Sequence, residues 1–138
     1  MAGKEARLQY ECVRWYRNDW FKNPKMLFAV FNEGLNVSGK ISMGLVPGVS
    51  DLLYYEKDGR RLIGIELKLP GESHDVQHVI RQCKFIIDVC DSGGFCDNME
   101  QFKQLIQGGY TLYDPQKVLN YLSSLKIKSF TWDATKFI

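Results

Sequence analysis

Gly48-Val49-Ser50-Asp51, the run Leu52-Leu53-Tyr54-Tyr55, the turn Asp58-Gly59 and then Ile65-Glu66-Leu67-Lys68 decide the fold of this chain. Asp-Gly between two β-branched and aromatic runs is a strong hairpin signal. With Asp58-Gly59 as a two-residue loop, Lys57 faces Arg60 and Asp51 lies directly opposite Glu66. Side chains alternate along a strand, so Lys68 shares a face with Glu66 while Leu67 points away. Two carboxylates then form a cross-strand pair with Cβ atoms roughly 5 Å apart. Like charges so placed repel, and a bound cation reverses the sign. The pattern points to a divalent-metal site with an ammonium beside it.

Working outward, the second strand has two faces. Ile63, Ile65, Leu67 and Leu69 form a core face, whereas Leu62, Gly64, Glu66 and Lys68 form a face expected to open on a cleft. Gly64 on that face suggests close approach of another group. Upstream, residues 4–20 read as a helix whose apolar stripe is Leu8, Cys12, Trp15 and Tyr16, with Glu11 on its inward edge. Met26 to Phe31 reads as a short buried strand ending at Asn32-Glu33-Gly34. A long loop with Lys40 and glycines 34, 39, 44 and 48 runs on to Val49, a length usual for functional loops. Lys25 and Lys40 read as surface lysines, with phosphate contact as the alternative.

Downstream, Pro70-Gly71 breaks the strand and Ser73 is the expected cap of a helix from about His74 to Asp91. Gly93-Gly94 is expected to end that helix in a left-handed cap. Phe95-Cys96 starts a short strand. Asn98 caps a helix holding Met99, Phe102, Leu105 and Ile106, and Asp114-Pro115 opens another with Val118, Leu119, Leu122 and Leu125. Ser129 to Trp132 reads as a last strand. His74 and His78, at i and i+4, lack the H-E-x-x-H frame of a zinc pair and read as residues at a helix start.

The 138 residues are 45% hydrophobic and 25% charged, enough for one globular domain with a real core. A net charge of +2 supplies no global basic field for nucleic acid, so such binding needs a local patch. Cys12, Cys83, Cys90 and Cys96 show no C-x-x-C spacing and read as free, mostly buried thiols of a reducing compartment. Nothing at the N-terminus resembles a signal peptide, and no run approaches a membrane span.

The order helix, strand, hairpin with Asp and Glu-x-Lys, then helix resembles the PD-(D/E)XK nuclease core. Asn32-Glu33-Gly34, Pro47-Gly48-Val49-Ser50-Asp51-Leu52, Ile65-Glu66-Leu67-Lys68 and Gln82, eleven residues before Gly93, closely resemble the VRR-Nuc branch. The match covers about residues 5–95 and leaves a C-terminal helical extension, about 97–138, unexplained. Ser50 stands where the motif's name has proline. The resemblance implies a single α/β domain with a mixed, mostly antiparallel sheet flanked by helices and a metal site at one sheet edge.

It also implies roles. Asp51 and Glu66 match metal-binding carboxylates, the main-chain oxygen of Leu67 a further ligand, and Lys68 the lysine that orients or activates the attacking water. Glu11 matches the first-helix acid and Gln82 the helix glutamine near the site. The implied activity is that of an endonuclease, dependent on Mg2+ or Mn2+, that hydrolyses DNA phosphodiesters. Branched or flapped DNA is the implied substrate, and a cytoplasmic setting in bacteria or phage-infected cells is implied. Stand-alone relatives resemble dimeric junction resolvases, so a homodimer is expected, with Tyr113, Tyr121, Phe130, Trp132 and Phe137 of the tail as its surface. The rivals are a non-catalytic binding module of a replication or packaging complex and a hydrolase of another phosphoester.

Overall fold

A computed structural model describes residues 3–20, 26–30, 47–108 and 111–137. The Asn32-Glu33-Gly34 strand end, Lys25, Lys40 and most of the glycine-bearing loop lie outside the described residues. The chain forms α1 (Lys4–Trp15), continued by a π-helical turn Tyr16–Trp20, then β1 (Leu27–Ala29), β2 (Leu52–Glu56) and β3 (Arg61–Leu67). There follow β4 (Ser73–Asp75), α2 (Val76–Val89), β5 (Ser92–Cys96), α3 (Met99–Gly108), α4 (Pro115–Ser123), β6 (Ser129–Thr131) and a 3-10 turn Ala134–Phe137.

The main sheet has the order β1-β2-β3-β5. The first two pairings are antiparallel and the third, β3 with β5, is parallel, so the sheet is mixed. It carries helices on both faces. On one, α1 and α3 close a core with Leu8, Cys12, Tyr16, Leu52, Ile63, Ile65, Leu67 and Phe102. On the other, α2 and α4 pack Val79, Cys83, Ile86, Val118 and Leu122 against Leu53 and Phe95. No helix among the described residues is long and apolar enough to cross a membrane.

The β2–β3 register matches the sequence expectation. Leu52 pairs with Ile65 and Glu56 with Arg61, which carries Asp51 opposite Glu66. The turn differs. Strand pairing stops at Glu56 and Arg61, leaving a four-residue loop in which Arg60, at φ 52°, takes the left-handed conformation. Lengthening a loop by one residue on each side leaves the pairing sum unchanged, so the register survives. A Glu56–Arg61 ion pair at 2.5 Å clasps its mouth.

Three expectations around α2 give way. Its cap is Asp75, whose carboxylate accepts the His78 N–H at 2.8 Å, because Ser73–Asp75 is drawn into a two-stranded sheet with β6. His74 therefore sits on a strand, not one turn before His78. Gly93 and Gly94 lie inside β5 rather than in a helix cap. A Cβ on Gly93 would stand 2.3 Å from the Gly64 carbonyl oxygen, and one on Gly94 2.5 Å from that of Leu112. These glycines serve close packing.

The second face of β3 is covered, not open. Ile86 and Cys90 of the α2 side lie against Gly64, where an added Cβ would meet both at 3.0 Å. Glu66 is 0% and Lys68 3% exposed as a result. The tail also departs from expectation. Phe130, Trp132 and Phe137 are buried within the chain's own second core. The extension belongs to the same fold, tied in by the β4–β6 pairing.

Candidate active site

The site lies where β2 begins and β3 ends, at the end of the two central strands rather than at an edge strand. Gly48 starts it. Its φ is +79°, and a Cβ there would press to 2.4 Å on the Arg81 carbonyl oxygen, so glycine lets the turn lean on α2. Ser50 follows, fully buried, with an Oγ that has no hydrogen-bond partner among the described residues. Asp51 is half-buried, and its Oδ2 accepts the Leu67 N–H at 3.0 Å. This bond folds the Asp51 carboxyl across the end of β3, beside Glu66.

Glu66 is fully enclosed. Gln82, buried on α2, donates Nε2–H to its Oε1 at 2.9 Å. Oε2 is shut off from water and receives no hydrogen bond among the described residues. Burial, then the Asp51 charge, hold the Glu66 carboxyl well above the usual range, and the Lys68 ammonium pulls the other way. In a dry site two facing carboxyls coexist only if one is protonated or an ion neutralises them. Lys68 is buried too. Its N–H joins the Cys96 carbonyl at 3.0 Å, while its ammonium makes no ion pair among the described residues. The ammonium still acts on the Glu66 and Glu5 carboxyls through its charge.

Asp51, Leu67 and Gln82 line a cleft of about 730 Å³ between α1, β1 and the start of α2. The structure brings together Asp51, Glu66, Lys68 and Gln82. It does not bring Glu11. The helix rows explain this: Leu8, Cys12 and Tyr16 form the buried row, Glu5, Gln9, Val13 and Arg17 flank it on the cleft side, and Arg7, Glu11 and Trp15 flank it on the other. Glu11 pairs with exposed Arg7 at 3.4 Å and leaves 44% of its side chain in water. The acid that α1 turns to the cleft is Glu5. Burial is the main force pushing its carboxyl up to about 7, and nearby Glu72 and Asp51 add to the effect against the pull of Lys68.

Gln9, which the sequence did not single out, and His78, read from the sequence only as a helix-start residue, both stand in the cleft wall. Glu5, Gln9, Val13 and Arg17 at successive i+4 steps were the available signal. Burial first, then Lys68 and Arg81, lower the His78 imidazole below its ordinary pKa. The four cysteines are free. Burial pushes Cys12, Cys83 and Cys90 each up to about 12, which keeps them as inert thiols. No protein-family model, curated protein or solved structure matches this chain.

Proposed function

We propose that this protein is a metal-dependent endonuclease of the PD-(D/E)XK kind, close to its VRR-Nuc branch, hydrolysing DNA phosphodiesters. The observation that carries the reading is Glu66 Oε2, buried beside the Asp51 carboxyl with no hydrogen-bond partner among the described residues, and with the Lys68 ammonium nearby. Hard divalent ions favour such an oxygen set, and magnesium is commonly held by one or two carboxylates. The donor set fits: Asp51, Glu66 and the Leu67 main-chain oxygen are the residues to hold Mg2+ or Mn2+, with Glu5 in the same cleft. The bound ion supplies Lewis-acid polarisation of a phosphoryl oxygen.

The chain's own groups do the rest. Gln82 pins one Glu66 oxygen and leaves the other free to face the ion. The Leu67 N–H fixes the Asp51 carboxyl. Lys68 offers a charged donor to the attacking water and to the negative charge that grows on phosphate as the P–O bond forms. Tyr10 (65% exposed) and Phe28 (42% exposed) stand in the cleft wall with Arg17. Aromatic faces beside a guanidinium suit bases and backbone of a nucleic-acid strand.

Pure protein incubated with linear, flapped and four-way DNA, with and without Mg2+ or Mn2+, tests the reading. Metal-dependent cutting that disappears in folded Asp51→Ala, Glu66→Ala and Lys68→Ala supports it. DNA binding without cutting, even in Mn2+, makes the protein a binding module instead.

A further inference from the structure

Glu5, Glu72 and His74 converge from three places: α1, the turn after β3, and β4. One ligand atom from each lies within 4.8 Å of the others. His74 Nε2 stands 3.5 Å from Glu5 Oε2. Both atoms are closed to water, and neither has a hydrogen-bond partner among the described residues. An N–H···O bond closes at about 2.7–3.2 Å. Two ligands on one tetrahedral zinc, each about 2.0–2.2 Å from the ion, stand about 3.3–3.5 Å apart. At 3.5 Å the two atoms are within ion-pair range but longer than a normal N–H···O bond, and the span fits two ligands of one shared ion.

The frame around the triad is built. The His74 ring faces Phe130, with centroids 6.4 Å apart, and β4 is paired to β6 on both sides of it. The Glu72 carbonyl accepts the Trp132 N–H at 2.8 Å, which fixes the chain from which its side chain springs. The Glu5 carboxyl is close enough to Glu72 to share a hydrogen bond. Burial, then Lys68, hold the His74 imidazole down to about 4, so it is neutral and free to ligate at pH 7. Among the described residues three acids act on this region, Glu5, Glu72 and Asp51, against the ammonium of Lys68.

We propose that Glu5, Glu72 and His74 form a second divalent-cation site, separate from the Asp51–Glu66 pair and suited to zinc or manganese. Imidazole with carboxylates is a ligand set those ions accept. A bound ion would tie α1 to the turn after β3 and to the β4–β6 ribbon. This assignment does not rest on nuclease activity.

Calorimetric titration with Zn2+ in the presence of a weak competing chelator, together with Co2+ absorption as a coordination probe, tests it. Asp51→Asn/Glu66→Gln protein is expected to keep one Zn2+ site and its Co2+ visible band. His74→Ala and Glu72→Gln, checked for folding by circular dichroism, are expected to lose about tenfold or more in Zn2+ affinity. His74→Ala is also expected to lose the band. Zn2+ affinity unmoved in both His74→Ala and Glu72→Gln overturns the proposal. So does complete loss of binding in the Asp51→Asn/Glu66→Gln protein. Glu72→Gln serves where His74→Ala does not fold.

Discussion

Asp97 and Glu66 leave water at the same end of two adjacent parallel strands, one just past β5 and the other near the end of β3. Their surroundings are opposite. Asp97 Oδ1 accepts Trp132 Nε1–H at 2.5 Å, its N–H donates to Gln101 Oε1, and Gln101 Nε2–H in turn donates to Tyr113 Oη at 2.8 Å. Burial lifts its pKa, and hydrogen bonds from Trp132 and Tyr113 restrain the rise. Trp132 then sits against Phe95 and Phe137, with centroids 5.3 and 4.9 Å away. Glu66 accepts from Gln82 at one oxygen, while its other oxygen is buried beside the Asp51 carboxyl with no clear hydrogen-bond partner among the described residues. A satisfied buried acid locks the extension onto the sheet. An unsatisfied one keeps a free lone pair in a dry place, which gains most when a cation arrives.

The sharpest break of this contrast is Glu66→Gln. Neutralising the carboxyl removes a metal ligand, so Mg2+-dependent DNA cutting should fall on the order of 10³-fold or more. The metal-free protein should be no less stable, because repulsion with Asp51 goes too; denaturant unfolding in EDTA checks that half. Trp132→Ala should do the reverse. It opens the second core and strips Asp97 of its donor, costing about 3–5 kcal/mol by urea unfolding. Any protein that remains folded at low temperature should still bind metal at Asp51 and Glu66.

Gln82→Leu sits between the two regimes. Releasing Glu66 Oε1 should weaken Mn2+ affinity about 10–100-fold by titration, with a smaller change in stability. The smallest effect is a pH dependence. Glu66 and Glu5 have raised pKa values, Glu5 to about 7, so their stabilising contribution is complete below about pH 4.5 and drains away as pH rises. His74, lowered to about 4, acts oppositely, its contribution being lost as pH falls from 6.5 toward 4. The two trends oppose each other below pH 6.5. Above it only the acids act, so in EDTA Tm should decline from pH 6.5 to 8, and divalent metal should remove the decline. A flat profile in EDTA breaks the claim that burial holds the Glu5 carboxyl up to about 7.

Local chemistry made much of the fold legible. Asp58-Gly59 between alternating runs brought β2 and β3 into register, and parity kept Asp51 opposite Glu66 even though the loop has four residues. The helices around Val79, Phe102 and Val118 follow from apolar spacing. Gly93-Gly94 misled because glycine signals both a left-handed cap and a tightly packed strand, and only the neighbouring Gly64 and Leu112 backbones decide between them. Glu11 misled because one helix can turn either flank of its buried row to a cleft, and the sheet it lies on makes the choice.

The sequence by itself determined a hairpin with two acids and a lysine on one face, since turn chemistry and strand alternation act over a few residues. Only the tertiary structure decided that this face is sealed by α2, that Glu5 rather than Glu11 looks into the cleft, and that Glu72 and His74 come close to the Glu5 carboxyl. Those are contacts between segments far apart in the chain, and they depend on how helices settle on a twisted sheet, which no local periodicity encodes.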